Sequence, residues 1–409
     1  MTAPGALAGI RILDLSRILA APFATQLLGD LGADVIKVER PGVGDDARDY
    51  GPPFLGDPDN RDSGFYLSTN RNKRSITVDH STPEGARLIR DLAAKSDVLV
   101  ENFRTGVLAK YGLDHDSLRE INPRLVYCSV TGFGQDGPYA DRAGYDGVFQ
   151  AMCGLMSVSG IPDGEPGAGP MKVGVSMVDI LTGLYTATAI LAALRHRDAT
   201  GEGQHIDMSL LDCGLASLSH YVQNYLVSGE PAPRRGNGGF GGIPSQAFTC
   251  ADGEDIFVVA STPRQFAGLA GALGRPELTD DPRFATVSAR IANRDHVLEV
   301  LSAIFATEPR EVWVRRLEDA DVPCSPVNSM PQVFANPQIV HREMLRHTDT
   351  GAVRDSAVPV LRNPIRLSQT PIHGYRRPPR LGADTDDVLA DVLGATTSDI
   401  DKLRAAGAI

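Results

Sequence analysis

The sequence predicts an α/β protein, a parallel sheet covered by helices on both faces, followed by a smaller α+β domain. Apolar strand-like runs alternate with helical stretches through the first half, and strand–helix–strand repetition implies parallel strands. At 409 residues the chain exceeds a usual single domain. A Pro- and Gly-rich stretch, Glu230–Gln246, then has the composition of a mobile loop or domain connection.

In chain order, GIRILDLS (Gly9–Ser16) and ADVIKVE (Ala33–Glu39) read as buried strands around a helix through Phe23–Gly32. SITVD (Ser75–Asp79) is a third strand. The next helix opens at Thr82 and Pro83, where the missing proline N–H does no harm. DVLVEN (Asp97–Asn102) and LVYCSVT (Leu125–Thr131) are further strands, and another helix begins near Tyr145. Met208–Gly229 reads as one long helix, Glu254–Ser261 as a strand, and most of Pro263–Ala320 as helix. Val358–Ser368 looks extended, and the segment from Asp384 to Gly394 looks helical. In a parallel sheet the ligand site lies beyond the carboxyl ends of the strands. Arg17, Arg40, Asn102 and Arg104 stand at those ends.

A net charge of −11 argues against nucleic acid as a partner. The amino terminus shows no signal peptide, and no apolar run is expected to span a membrane; the stretch after Asp179 comes nearest. Five scattered cysteines without a CxxC pair fit reduced thiols in a cytoplasmic protein. The nine histidines have no metal-ligand spacing, so no metal site is expected.

The stretch from Ile180 to Leu194 is almost wholly apolar, as expected of a helix in a protein interior. Asp179 stands at its first turn, where unpaired N–H groups and the helix dipole favour an anion. Two readings follow: a helix cap, or an ionised nucleophile for an electrophilic carbonyl. RNKRS (Arg71–Ser75), with Arg17, Arg40, Arg104 and Lys110, is either a solvated basic face or a phosphate site. The GxGxxG match at Gly132–Gly137 follows a strand, but Pro138 breaks the expected helix start, and the match at Gly236–Gly241 has neither flank of a dinucleotide site. The second suits a flexible flap. No GxSxG elbow is present, which disfavours a serine hydrolase.

Together, Leu13–Gly42, Thr69–Asp79, Val100–Phe103, Ser129–Asp146, Val178–Leu194 and Thr200–Asp212 resemble the family III CoA-transferases, a group that includes the α-methylacyl-CoA racemases. Asp321–Met330 and Pro378–Leu389 match more loosely. The resemblance implies a Rossmann-like large domain over residues 1–221, a small domain over 222–327, and a segment 328–409 returning to the large domain. It also implies a homodimer of interlocked chains. Asp179 would be the nucleophile, passing through an acyl anhydride and an aspartyl-CoA thioester. Coenzyme A thioesters would be substrates, with no tightly bound cofactor. Their contacts would fall to Arg17, Ile18, Arg40, Val78, Asp79, Asn102, Phe103, Arg104, Lys110 and Tyr145. Leu19, Tyr145, Asp146, Gly238, Gly239 and Gly241 would line the acyl and acid substrates.

Racemases of this group carry His where Tyr145 stands. Tyrosine ordinarily ionises near pH 10 and is a poor proton acceptor at neutrality, which points to transfer. A 2-methylacyl-CoA racemase and a non-catalytic acyl-CoA-binding protein are the alternatives. Leu19 replaces the Gln of formate/oxalate members, and the motifs most resemble members that use succinyl-CoA and dicarboxylates. Asp384 replaces a common His in the tail.

Overall fold

The computed structural model describes residues 5–57, 60–239, 241–348 and 357–409. The chain forms two compact units: residues 1–156, 172–231 and 341–409 make the first, and 157–171 with 232–340 the second.

The first unit is built on β1 (Arg11–Asp14), α1 (Ala20–Asp30), β2 (Asp34–Glu39), β3 (Lys73–Thr77), α2 (Pro83–Ala93), β4 (Val98–Glu101) and β5 (Val126–Thr131). It continues through α3 (Asp146–Met152), α4 (Met177–Thr200), β6 (His205–Ser209), α5 (Leu210–Ser217) and α6 (His220–Ser228). Six strands run in the order β6-β5-β4-β1-β2-β3, all parallel, as the alternation of strand and helix signals predicts. That is the doubly wound order, whose direction reverses between β1 and β4.

Neighbouring residues of each strand feed opposite cores. Ile12, Val35 and Val98 pack with α1 and α4, while Leu13, Ile36 and Leu99 pack under α2. Helix α4 lies on α1 with little space between them. A Cβ on Gly183 would stand 2.7 Å from the Ala20 carbonyl oxygen. Alanine is the better helix former in isolation, but here it would force the helices apart. Gly183→Ala is expected to lower stability by about 1–3 kcal/mol, the usual cost of overpacking, as a shift in urea midpoint at unchanged slope.

Two expectations need correction. Helix α4 is not buried on every side: Thr182, Ile190 and Leu194 are covered, while Leu184, Tyr185 and Leu191 are exposed. It is also long and apolar enough to cross a membrane, a property that core helices share. Buried Arg197, bound to Asp97 at 2.7 Å, closes its far end. The helix expected over Met208–Gly229 is instead the end of β6 followed by α5 and α6, broken at Ser219, whose φ is +45°. A non-glycine residue there cannot continue a right-handed helix.

In the second unit an antiparallel sheet of β7 (Ser245–Thr249), β8 (Asp255–Val259) and β9 (Cys324–Pro326) carries its own core. Phe248, Ile256, Phe305 and Trp313 fill it. The glycine-rich segment is tied down here: Gly236 donates to the Gly160 carbonyl at 3.0 Å and Gly239 to that of Ser245 at 2.7 Å.

The tail returns to the first unit as α7 (Thr385–Leu393) and α8 (Thr397–Ala405). Asp384 has a structural task there. Its carboxylate accepts from Ser75 N–H at 2.8 Å, and its own N–H donates to the Ser75 carbonyl at 2.9 Å. Thr385 Oγ1 takes the N–H of Thr77 at 3.2 Å, so the tail covers the open edge of β3.

Candidate active site

The switch between β1 and β4 leaves a crevice at their carboxyl ends, and the loops there line a cavity of about 320 Å³. Arg17–Ala20, Asn102–Thr105 and the segment around Tyr145 form its walls, and Asp179 faces into it.

The loop after β1 is held at each peptide group. Asn102 Oδ1 accepts from Arg17 N–H at 2.9 Å, and its Nδ2 donates to the Arg17 carbonyl at 2.8 Å. Asp45 accepts from Ile18 N–H at 3.1 Å, and Lys37 Nζ donates to the Ser16 carbonyl at 2.9 Å. These bonds keep Ile18 at φ +74°, a left-handed conformation that a β-branched side chain avoids. Below them lies a buried charge network. Lys37 pairs with Asp45 at 2.8 Å and Lys73 with Asp14 at 2.9 Å, all four side chains fully covered.

Asp179 is the third residue of α4 and makes no cap of its own. The cap comes from Asp146 at the start of α3. One of its oxygens accepts from Val178 N–H at 2.8 Å and Asp179 N–H at 3.3 Å, and Gln150 Nε2 donates to the other at 2.7 Å. The positive end of α4 is therefore occupied by a different carboxylate from the one expected. Burial, and then the Asp146 charge, push the Asp179 carboxyl up to about 7. It is thus not the fully ionised group that its helix position suggested. A desolvated, more basic carboxylate is the stronger nucleophile once its proton is lost.

Arg17 bridges this cavity to a smaller apolar recess lined by Val38, Val78, Ile89, His80 and Phe103, since Arg17 and Phe103 border both. Its guanidinium lies 5.2 Å from the Phe103 ring centre and 3.2 Å from Asp46, and its buried Nε has no hydrogen-bond partner. The arrangement suits an elongated ligand with a reactive carbonyl at Asp179 and an apolar end reaching past Arg17 into the recess.

A sequence model of CoA-transferase family III matches residues 7–385. The chain belongs to that family. The transferase is 46% identical over 388 residues to succinate–glutarate CoA-transferase of Agrobacterium fabrum, covering 94% of this chain and 95% of the relative. It is 43% identical over 404 residues to human succinyl-CoA:glutarate CoA-transferase, with 98% and 90% covered. The crystal structure of a CAIB/BAIF family protein from Brucella suis superposes with a TM-score of 0.86 at 43% identity, covering 95% of this chain and all of that one.

Of the residues expected to serve this transferase, Arg17, Ile18, Leu19, Asn102, Phe103, Arg104, Tyr145, Asp146 and Asp179 share the main cavity. Arg40 and Val78 line the recess. Lys110 and Asp79 border neither. The Asp79 carboxylate is engaged by Ser81 N–H at 2.9 Å and Oγ at 2.6 Å. Gly238, Gly239 and Gly241 belong to the second unit. The basic run Arg71–Ser75 is no phosphate site. Arg71 binds Asp30 and Arg74 binds Asp34, each at 2.6 Å, and Lys73 is buried on Asp14.

Sequence reasoning missed Lys37, Asp45, Glu101 and Arg142. Glu101 closes β4 and accepts from Phe103 N–H at 2.8 Å. Burial pushes its carboxyl up to about 7, against the hydrogen bonds from Ser129 and Phe103. A lysine inside the apolar run VIKVE and a glutamate ending VLVE were the available signals.

Proposed function

We propose that the protein moves CoA from succinyl-CoA to a second dicarboxylic acid, with Asp179 as the covalent carrier. The observation that carries this reading is Asp179 itself, facing a cavity that continues past Arg17 into an apolar recess. An Asp179 oxygen attacks the succinyl thioester carbonyl, the C–S bond breaks, and CoA leaves as its thiolate. The thiolate attacks the aspartyl carbonyl of the mixed anhydride, releasing succinate and leaving an aspartyl-CoA thioester. The acceptor carboxylate then expels the thiolate, and the thiolate returns to the acceptor carbonyl, freeing Asp179. No net proton or electron is exchanged, and each step replaces one activated acyl bond by another. Asp146 keeps α4 anchored while the Asp179 charge is gained and lost. The CoA thioester is a substrate, so no resident cofactor or metal is required.

We assign the exposed apolar strip Leu184, Tyr185 and Leu191 on α4, with Leu226 and Val227 on α6, to a homodimer contact. Free cysteines at all five positions support a cytoplasmic setting. Initial rates with succinyl-CoA and a panel of mono- and dicarboxylic acids test the function. Transfer to five-carbon or similar diacids is the expected result, with hydroxylamine trapping the aspartyl-CoA thioester at Asp179. Solvent deuterium entering a 2-methylacyl-CoA without any acceptor acid would instead identify a racemase.

A further inference from the structure

We propose that Arg142 receives the distal carboxylate of the dicarboxylate substrates and so selects diacids over monoacids. This rests on the reading of Asp179 as the acyl carrier. A dicarboxylate must bring a second negative charge into a cavity that already holds Asp179, Asp146 and Asp46. Such a charge needs a cation not already neutralised.

Three guanidinium groups line that cavity, those of Arg17, Arg104 and Arg142. Arg17 is paired with Asp46 at 3.2 Å, and Asp46 also binds Arg40 at 2.7 Å. Arg104 also borders a separate depression that holds Glu101, Asp114 and Asp116, so its charge is shared with carboxylates outside this cavity. Arg142 stands in the same short connection as Tyr145 and Asp146, and no ion pair joins it to a carboxylate among the described residues. It is nevertheless fixed in place. Its guanidinium stacks 3.8 Å from the Tyr139 ring centre. Tyr139 meets Phe133 edge-on at 5.6 Å, and Phe133 meets Phe149 at 5.2 Å. Phe149 is a fully buried core residue of α3. Gly132 lets the chain close over it, since a Cβ there would stand 2.7 Å from the Phe149 ring. An aromatic ladder thus runs from the core to an unpaired, planar cation suited to a bidentate carboxylate contact.

The test compares succinyl-CoA with butyryl-CoA, of equal length but with methyl in place of the carboxylate, in the full-length protein. Single-turnover release of the donor's free acid, succinate or butyrate, reads even slow donors. Arg142→Gln should lower kcat/KM for succinyl-CoA, and raise KM for glutarate, by about tenfold to a hundredfold. Butyryl-CoA should change less than twofold, and the affinity for free CoA not at all. Arg142→Lys should recover only part of the loss, because a point charge replaces a planar fork. Equal losses on both donors, or weaker binding of free CoA, would place Arg142 on the coenzyme and overturn the proposal. A succinyl-to-butyryl ratio unchanged by the substitution would overturn it too. Absence of diacid transfer in the unaltered protein would instead strike the functional reading itself.

Discussion

Asp179→Ala is expected to abolish CoA transfer, lowering turnover by on the order of 10³–10⁴-fold or more, because in the proposed reaction no other residue carries the acyl group. Affinity for CoA should change little, since Arg17, Phe103 and the apolar recess are untouched. The sharper test is pH. The Asp179 carboxyl is held at about 7 by burial and by Asp146, and only the ionised form attacks. The rate of the first acyl transfer should therefore rise with pH and level off above a midpoint near that value. Asp146→Asn should move the midpoint down, because it removes the neighbouring charge. Unchanged turnover in Asp179→Ala would sink the assignment.

The same shift has a consequence for stability. A carboxyl that titrates near 7 when folded and near 4 when unfolded binds its proton more tightly in the folded state. Stability from this group is thus fully present below pH 4, falls as pH rises toward 7, and is constant above. Asp179→Asn has no such charge to bury. It should match the parent below pH 4 and exceed it by up to about 2–4 kcal/mol above pH 7. A dead variant that is more stable than the active protein would mark the carboxylate as held for chemistry at the expense of the fold.

How far the sequence could be read follows the physics of each part. The strands of the central sheet are apolar runs buried on both faces, so β1, β2, β4 and β5 were plain. The edge strand β6, HIDMS, alternates exposed and covered residues, and its pattern merged with the helix after it. The break at Ser219 has no proline or glycine to announce it. Asp179 could be found because it is the one acid in the apolar stretch Met177–Leu194. Its cap could not, because Asp146 lies 33 positions away. Nothing local in RNKRS separates a solvated arginine from one folded back onto Asp30 or Asp34. The ion pairs join residues dozens of positions apart. The partners of Lys37 and Lys73 were invisible for the same reason, although Lys37 interrupts the apolar run of β2.

Those two lysines lead to the second large effect. Asp45 is fully buried and accepts from Lys37 Nζ at 2.8 Å, Ala47 N–H at 2.9 Å and Ile18 N–H at 3.1 Å. Burial alone would raise its carboxyl, but Lys37 and these donors hold it below the usual carboxylate range. Lys37 is raised despite its own burial, by Asp45 first and then Asp14. The signs make the pair stabilising over a wide window. The Asp45 share is present above its unfolded value near 4 and is lost as pH falls through the lowered one. The Lys37 share is present below its unfolded value near 10.4 and is lost as pH rises through the raised one. Asp45→Ala leaves a lysine charge sealed in the core and should cost about 3–5 kcal/mol, read as a fall in urea midpoint. The pair Lys37→Met with Asp45→Leu removes both charges and should restore much of that loss, since apolar replacements of a buried ion pair are often neutral. Activity should not return with it. Ile18 N–H would still lack its acceptor, so nothing would hold the loop in its left-handed turn. The double variant is therefore expected to fold well and bind CoA poorly. If it folded well and turned over normally, the network would be structural only, and the strain at Ile18 would have no part in the site.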